Sequence, residues 1–160
     1  MKSGFVFAVA ALAAAGIAAA QQTRAIDPAE PAAASAGEVI DVYKSESCGC
    51  CAKWVEHLRA QGFEVRARDV PEPSLYRARF GVPERLGSCH TATVAGYALE
   101  GHVPAREIKR LLAERPKARG LAVPGMPLGS PGMEGPRNDP YDVLLIRKDG
   151  STGTYARYGR

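Results

Sequence analysis

The sequence predicts an α/β domain with the element order β-α-β-α-β-β-α, followed by a loop rich in Gly, Pro and Met and by a C-terminal β-hairpin. The first observation behind this prediction is a β-prone run that leads directly into a helical pattern and a second strand. Gly and Pro residues then occur at each change of pattern, and an Asp-Gly pair separates two alternating runs near the end of the chain.

The first 37 residues are expected to precede this domain. Residues 1–20 contain Lys2, an apolar run and an Ala-x-Ala site, which together indicate a signal peptide that is cleaved on export. An uncleaved N-terminal anchor is the alternative, although the run is short and rich in Ala. Residues 21–37 are predicted to form a flexible linker, so the domain is expected to occupy residues 38–160.

A βαβ unit is predicted to open the domain. Residues 38–43 form the first β-prone run, and Ser47 stands where its side chain can cap the next helix. Apolar residues fall on one helical face from Cys50 to the neighbourhood of Gly62, a residue type that commonly ends helices. Residues 63–70 alternate in polarity and form the second strand, which is expected to run parallel to the first.

The remaining elements are predicted from the same kinds of signal. They are a short helix at residues 74–80, a hairpin with strands at 91–94 and 97–99, a helix that begins at Pro104, a Gly/Pro/Met-rich loop at 118–137, and a hairpin with strands at 141–147 and 152–158. The turn pairs Ala95-Gly96 and Asp149-Gly150 mark the two hairpins.

Charge excludes one class of partner. The formal net charge is +4, but acidic and basic residues are interspersed and no nucleic-acid-binding motif accompanies them, so no nucleic acid partner is expected. His57, which lies two turns into the first helix, is likewise expected to be a solvated surface residue.

Three of the four cysteines lie within four residues, as Cys48, Cys50 and Cys51. The strand-to-helix turn places them beside a helix N-terminus, which favours the thiolate form. A Cys-x-x-Cys pair at the first such turn of this element order is typical of a thioredoxin-like fold, which we therefore predict. Because one redox pair needs two thiols, the third thiol indicates binding of a soft metal.

Disulfide bonds are the conventional alternative for four cysteines in an exported protein. A bond between the neighbours Cys50 and Cys51 would be strained, whereas Cys48 with Cys51 and Cys50 with Cys89 remain possible pairings. These two bonds would be crowded at one end of the molecule and would restrain the unfolded chain little, which disfavours a structural role.

The predicted topology brings further donors to the same edge of the sheet. The third strand lies antiparallel beside the first, so its start at Cys89 is expected where the first strand ends, and the fourth strand brings His102 there. His90 is expected to point away from Cys89 and is the weaker candidate. Met126 and Met133 occur in similar Pro-Gly-Met contexts on a loop long enough to return, with core packing as the alternative.

The predicted ligand set is therefore soft. It consists of Cys48, Cys50, Cys51, Cys89, His102, Met126 and Met133. Thiolate and thioether donors favour Cu(I), whereas Ca²⁺ and Mg²⁺ prefer oxygen ligands. Three thiolates so close together favour the bridging of several Cu(I) ions, and a mononuclear site is the alternative.

These motifs resemble an exported metal-binding family, formerly of unknown function, that includes the CopG-type copper-resistance proteins. The matching segments are the Cys-Gly-Cys-Cys turn with its helix and residues 88–92, 100–104 and 120–127, and the resemblance spans roughly residues 39–147. It implies a thioredoxin-like domain of the bacterial periplasm that binds copper, as Cu(I) or Cu(II), and contributes to resistance against copper, with silver as a further candidate. It also implies that Cys48, Cys50, Cys51 and Cys89 are ligands.

Three functions stay open at this point. The favoured one is a periplasmic protein that sequesters Cu(I) or passes it to other periplasmic copper-handling proteins. The second is a thiol–disulfide oxidoreductase that uses Cys48 and Cys51, and the third is a copper-linked oxidoreductase that combines the two. The extra cysteines, and Cys89 where thioredoxins carry a cis-proline, favour metal binding over dithiol chemistry alone. We expect a monomer that leaves the membrane after signal cleavage.

Overall fold

The computed structural model describes Met1 and residues 38–159, so the predictions for residues 2–37 lie outside the described part of the chain. Residues 38–159 belong to one unit, Pro31–Arg160. None of the helices in this part of the chain is both long and apolar enough to cross a bilayer. The elements, in chain order, are β1 (Val39–Lys44), α1 (Gly49–Ala60), β2 (Glu64–Asp69), α2 (Pro73–Arg79), β3 (His90–Val94), β4 (Tyr97–Glu100), α3 (Ala105–Glu114), β5 (Ala118–Ala122), β6 (Tyr141–Arg147) and β7 (Thr152–Tyr158).

The strands form one seven-stranded mixed sheet in the order β2-β1-β3-β4-β5-β6-β7. The βαβ unit is as predicted, with β1 and β2 parallel. Both predicted hairpins are present, and the strands of the second have the bounds expected from the sequence. The β3–β4 turn uses Ala95 and Gly96, both at positive φ, the conformation that the tight turn requires. A mixed α/β fold is therefore observed.

Strand β5 differs from the prediction, which assigned the whole of residues 118–137 to a loop. β5 pairs parallel with β4 and antiparallel with β6, so it joins the C-terminal hairpin to the rest of the sheet. Both of its faces are covered, and such a strand lacks the alternation in polarity on which a sequence prediction depends. Gly120 fits because a side chain there would collide with the backbone of Ala98.

Helices cover both faces of the sheet. The larger apolar core lies between the sheet and the pair α1 and α3, where Trp54, Leu58, Ile108 and Leu111 are fully buried. A smaller cluster lies on the opposite face, under the segment that follows α2, and includes Val82 and Leu86. Burying these side chains supplies the main stabilising term of the fold, about 1.5–3 kcal/mol for each large apolar side chain.

The pairing registers bring three strand ends to one edge. Lys44, the last residue of β1, pairs with His90, the first residue of β3. Thr91 of β3 pairs with Glu100, the last residue of β4. The cysteine-rich turn after β1, the segment before β3 and the residues after β4 therefore meet, as the topology argument from the sequence predicted.

Candidate metal centre

The Cys-Gly-Cys-Cys turn connects β1 to α1 and carries a disulfide bond. Cys48 is the N-terminal capping residue of α1 and is bonded to Cys51, which is fully buried, while Cys50 keeps a free thiol. The prediction that Ser47 caps the helix is wrong. The capping position falls one residue later, and the Ser47 hydroxyl instead lies 3.1 Å from that of Ser45.

Four sulfur atoms from two distant segments converge at this turn. The Sγ atom of Cys50 lies 3.5 Å from that of Cys48 and 3.9 Å from that of Cys89. The Sγ atoms of Cys48, Cys50, Cys51 and Cys89 all lie within 4.8 Å of one another. Cys89 thus lies beside the turn although it is 38 residues from Cys51 in the sequence.

Two imidazoles extend the cluster on the side of Cys89. His102 Nε2 lies 3.1 Å from Cys89 Sγ, and His90 Nδ1 lies 3.4 Å from it. One ligand atom from each of Cys89, His90 and His102 lies within 4.8 Å of the other two. The expectation that His90 points away from Cys89 is therefore wrong. Strand β3 begins at His90, so the alternation of side chains along a strand does not reach back to Cys89.

The hydrogen bonds of His102 indicate which of its nitrogens is free. His102 Nδ1 lies 2.8 Å from the carbonyl oxygen of Pro131, which can accept a hydrogen bond but cannot donate one. Nδ1 therefore carries the proton, and in the neutral ring Nε2 presents its lone pair to Cys89. A backbone carbonyl that fixes the tautomer in this way is a common arrangement behind metal-binding histidines. Pro131 belongs to a loop, so sequence reasoning had no signal for it.

Burial sets the protonation states of this cluster. Burial, reinforced by the nearby His102, lowers the pKa of the fully buried His90 to about 3, and burial also lowers the pKa of His102. Burial and then the neighbouring Cys50 raise the pKa of the Cys89 thiol to about 12. Near neutral pH the two imidazoles are uncharged, so each has a nitrogen lone pair that can bind a metal. Cys89 keeps its thiol proton, which a bound soft cation would displace.

One polar atom of the cluster has no hydrogen-bond partner. The Nε2 atom of His90 is buried and unsatisfied, while the ring centroid of His90 lies 4.4 Å from that of Trp54 and 5.1 Å from that of His102. Leaving a buried polar atom unpaired costs about 1–3 kcal/mol. An unpaired buried atom in a folded protein therefore calls for an explanation, and a ligand-binding role for this cluster is one.

The loop between β5 and β6 returns to this site, as the sequence predicted for its methionines. The amide of Gly125 donates to the carbonyl of Gly87, and the Ser88 hydroxyl donates to the carbonyl of Gly125. Gly132, at φ +85°, packs so closely that a Cβ there would lie 2.7 Å from the backbone oxygen of Cys50.

The two methionines of this loop differ in exposure. Met126 is 53% exposed, and Met133 is half-buried next to Gly132. Their roles as ligands stay predictions, as do the ligand roles of the four cysteines and His102.

His57 is not the free surface residue expected from the sequence. Its Nε2 accepts a hydrogen bond from the backbone amide of Ala105, the first residue of α3, at 3.3 Å. The side chain is half-buried, and burial lowers its pKa. His57 therefore caps a neighbouring helix and takes no part in the sulfur cluster.

The donor set fits a soft ion. Sulfur and imidazole nitrogen suit Cu(I) and related ions, and none of the side-chain groups in the sulfur cluster is a carboxylate that would favour Ca²⁺ or Mg²⁺. In the disulfide form, Cys50 and Cys89 are the available thiols. Reduction of the Cys48–Cys51 bond would add two more within the same 4.8 Å cluster.

Comparison with known proteins places the site in context. A family model described as a protein of unknown function, DUF411, matches residues 86–133, which include Cys89, His90, His102 and both loop methionines. The solved structure of copper resistance protein CopG in form 2 is 46% identical in sequence, with a TM-score of 0.73 over 76% of this chain and 98% of that chain. Form 1 gives the same identity and coverage with a TM-score of 0.72. Among curated proteins, none matches this chain.

Proposed function

Because this chain belongs to the family of copper resistance protein CopG, we propose that it is an exported periplasmic protein that binds Cu(I) and contributes to copper resistance. The family membership confirms the resemblance that the motifs predicted. Copper is here the cargo of the protein. The observation that carries the proposal is the convergence of four cysteine sulfur atoms within 4.8 Å.

The ligands proposed are Cys48, Cys50, Cys51 and Cys89, joined by His102. Thiolates form strong bonds to Cu(I), and the lone pair of His102 Nε2 is held toward Cys89 by the bond from Nδ1 to Pro131. His90 is a further candidate, since its Nδ1 also lies beside Cys89. Met126 and Met133 would add thioether donors from the loop that lies against the turn.

Several ions are proposed to share the thiolates. Sulfur-to-sulfur distances of 3.5 and 3.9 Å around Cys50 allow one thiolate to bridge two ions. Cys50 is central to this arrangement because its sulfur lies close to sulfur atoms of both segments. A polynuclear centre would explain why the turn holds three cysteines where a redox pair needs two.

A copper-linked oxidoreductase is the second candidate, and the Cys48–Cys51 disulfide favours it. The bond lies at the first strand-to-helix turn of a sheet with the order β2-β1-β3-β4, which supports a thioredoxin-like fold. Two Cu(II) ions could each take one electron from the reduced Cys48 and Cys51 thiols, which release two protons to solvent as their sulfur atoms bond. The products would be the disulfide and two Cu(I) ions.

Anaerobic titration of the reduced protein, residues 21–160, with Cu(I) tests the main proposal. We expect uptake of more than one ion per chain and a marked loss in Cys50→Ser and in Cys89→Ala. Ser47→Ala, a change in the same turn that removes no sulfur, is the matched control and should bind as the unchanged protein does. Met126→Leu and Met133→Leu should weaken binding without abolishing it.

The opposite results would overturn the proposal. Uptake that is unchanged in both Cys50→Ser and Cys89→Ala would exclude the shared thiolate site. Reduction of insulin disulfides that survives Cys50→Ser and Cys89→Ser, but not Cys48→Ser, would instead identify a dithiol oxidoreductase. Export is tested separately, by cell fractionation and by an N-terminus at Gln21 in the mature protein.

A further inference from the structure

We propose that the buried ion pair between Arg77 and Glu100 positions Cys89 for metal binding. This inference rests on the proposed function. Arg77 and Glu100 do not contact a cysteine sulfur themselves, and their role is to support the proposed copper site. Glu100 is fully buried at the end of β4, and Arg77 of α2 is 7% exposed. Arg77 Nε donates to Glu100 Oε1 at 2.9 Å.

The carboxylate of Glu100 holds the chain on both sides of Cys89. Its Oε1 accepts a hydrogen bond from the backbone amide of Ser88 at 2.7 Å. Its Oε2 accepts one from the hydroxyl of Thr91, also at 2.7 Å. Charge-assisted bonds of this kind are about twice as strong as neutral ones, and here they bracket the segment that carries the fourth thiol.

Arg77 completes the arrangement from the other side of Ser88. Its Nη2 donates to the carbonyl oxygen of Ser88 at 2.8 Å, and its Nη1 donates to Glu84 at 2.8 Å. The planar guanidinium thus binds Glu100, Ser88 and Glu84 at once, which an ammonium group would not reproduce. A Cβ at Gly87 would lie 2.8 Å from Arg77 Cζ, so glycine leaves the room that this packing needs.

The sheet itself does not hold Cys89. The ladder between β1 and β3 runs from Asp41↔Thr93 to Lys44↔His90, so Ser88 and Cys89 lie beyond it. The position of these two residues therefore depends on side chains, chiefly Glu100 and Arg77, and on the contact of Ser88 with Gly125. A shift of this segment would move Cys89 Sγ away from Cys50 Sγ and from His102 Nε2.

Replacement of a partner behind the ligands tests the inference. Glu100→Gln removes the charge and one of the two acceptor oxygens, and Arg77→Lys keeps the charge but loses the planar fork. In the reduced protein we expect each variant to lower Cu(I) affinity by about 10- to 100-fold, measured by competition with a chromophoric Cu(I) chelator. The thiolate-to-copper absorption band should change in shape together with the affinity.

Glu107→Gln is the matched control. Glu107 is also a buried carboxylate, but it accepts a hydrogen bond from Tyr158 and pairs with Arg110, away from the cysteines. This variant is expected to be destabilised similarly and to keep its Cu(I) affinity and absorption band. A loss of affinity equal to that of Glu100→Gln would show that the effect follows from general destabilisation and would overturn the inference.

A double-mutant cycle isolates the route through Cys89. In a Cys89→Ala background, Glu100→Gln should change Cu(I) affinity by less than about twofold, because the residue it positions is already gone. Additive losses would overturn the inference while leaving copper binding intact. Failure of the unchanged protein to bind Cu(I) would overturn the proposed function itself. If Glu100→Gln does not fold, the same double-mutant cycle is measured with Arg77→Lys in place of Glu100→Gln.

Discussion

The indole nitrogen of Trp54 donates a buried hydrogen bond to the backbone carbonyl of Val103, at 2.9 Å. Trp54 belongs to α1 and Val103 to the segment that leads from β4 into α3, and both are fully buried. The ring of Trp54 also packs against His90. The side chain of Trp54 therefore connects α1 to the segment before α3 and to His90 at the start of β3, beside the cysteines.

Trp54→Phe is expected to destabilise the protein by about 2–3 kcal/mol. The substitution leaves the buried Val103 carbonyl without its donor and opens a small cavity, and each effect costs on the order of 1 kcal/mol or more. Urea unfolding checks this value. Leu75→Ala, at a side chain that is 62% exposed, is the control and should change stability little.

Trp54 is also a built-in reporter, since the chain contains a single Trp. Copper bound beside Cys89 would lie close to the indole, because His90 separates the two by one ring contact. We expect Trp54 emission to fall in step with Cu(I) addition to the reduced protein and to fall much less in Cys50→Ser, which binds less copper. Emission that is unchanged while copper is bound would place the metal elsewhere.

Stability is expected to decrease as the pH falls from 7 to 5. Burial lowers the pKa values of all three histidines, His57, His90 and His102, in the folded protein. As the pH is lowered through about 6.5, histidines in the unfolded chain therefore become protonated before those in the folded protein. The folded state is then increasingly disfavoured. For the fully buried His90, whose pKa is about 3, the slope reaches at most about 1.4 kcal/mol per pH unit.

Urea unfolding of the metal-free disulfide form at several pH values measures this slope. His57→Gln cannot titrate and is expected to reduce the slope slightly, because His57 is half-buried. If the free energy of unfolding stayed constant or increased as the pH was lowered from 7 to 5, the assignment of neutral histidines in the folded state would be contradicted.

Gly132→Ala is expected to destabilise the protein by about 1–3 kcal/mol and to weaken copper binding. The new methyl group would lie 2.7 Å from Cys50 O and 2.8 Å from Trp54 N, and the backbone is at φ +85°. Gly135→Ala in the same loop is the control, since its Cβ would meet Leu128 at an ordinary 3.6 Å. Equal effects of the two changes would show that the loop does not press on the turn.

The Cys48–Cys51 disulfide leads first to a prediction about the thiols themselves, which is tested without copper. Thiol titration of the unfolded, unreduced protein is expected to find the two free thiols, Cys50 and Cys89, and peptide mapping should find Cys48 bonded to Cys51. The unreduced protein should then take up fewer Cu(I) ions than the reduced protein. A bond between Cys50 and Cys89 in the mapped peptides would contradict the structure.

Much of the fold was accessible from the sequence because most elements are amphipathic and end at Gly or Pro. The alternating residues of β2 and the Asp-Gly turn between β6 and β7 are examples. Strand β5 was missed because it is buried on both faces and contains Arg119 and Gly120, which are not typical of strands. Its place depends on β4 and β6, which are partners that no local pattern reveals.

The site was predicted in outline from topology, and its details were not. The meeting of Cys89 with the cysteine-rich turn followed from strand order alone. The orientation of His90 relative to Cys89 depends on the residue at which β3 begins. A shift of this boundary by one residue decides whether the alternation of a strand applies to the pair. Pro131, Arg77 and Glu100 act through contacts between distant segments, so they carry no sequence signal of their own.

Strand β5 also has a consequence for the solubility of shortened chains. It is hydrogen-bonded on both sides, and Leu121 and Ala122 are fully buried. A chain that stopped at residue 133, where the family match ends, would leave this apolar strand as an open edge, and such edges promote aggregation. In the described chain β2 and β7 are the outer strands, and β2 exposes Glu64, Arg66 and Arg68. The final hairpin thus covers the apolar strand β5, and the outer strand at the opposite side of the sheet, β2, is protected by its charged side chains.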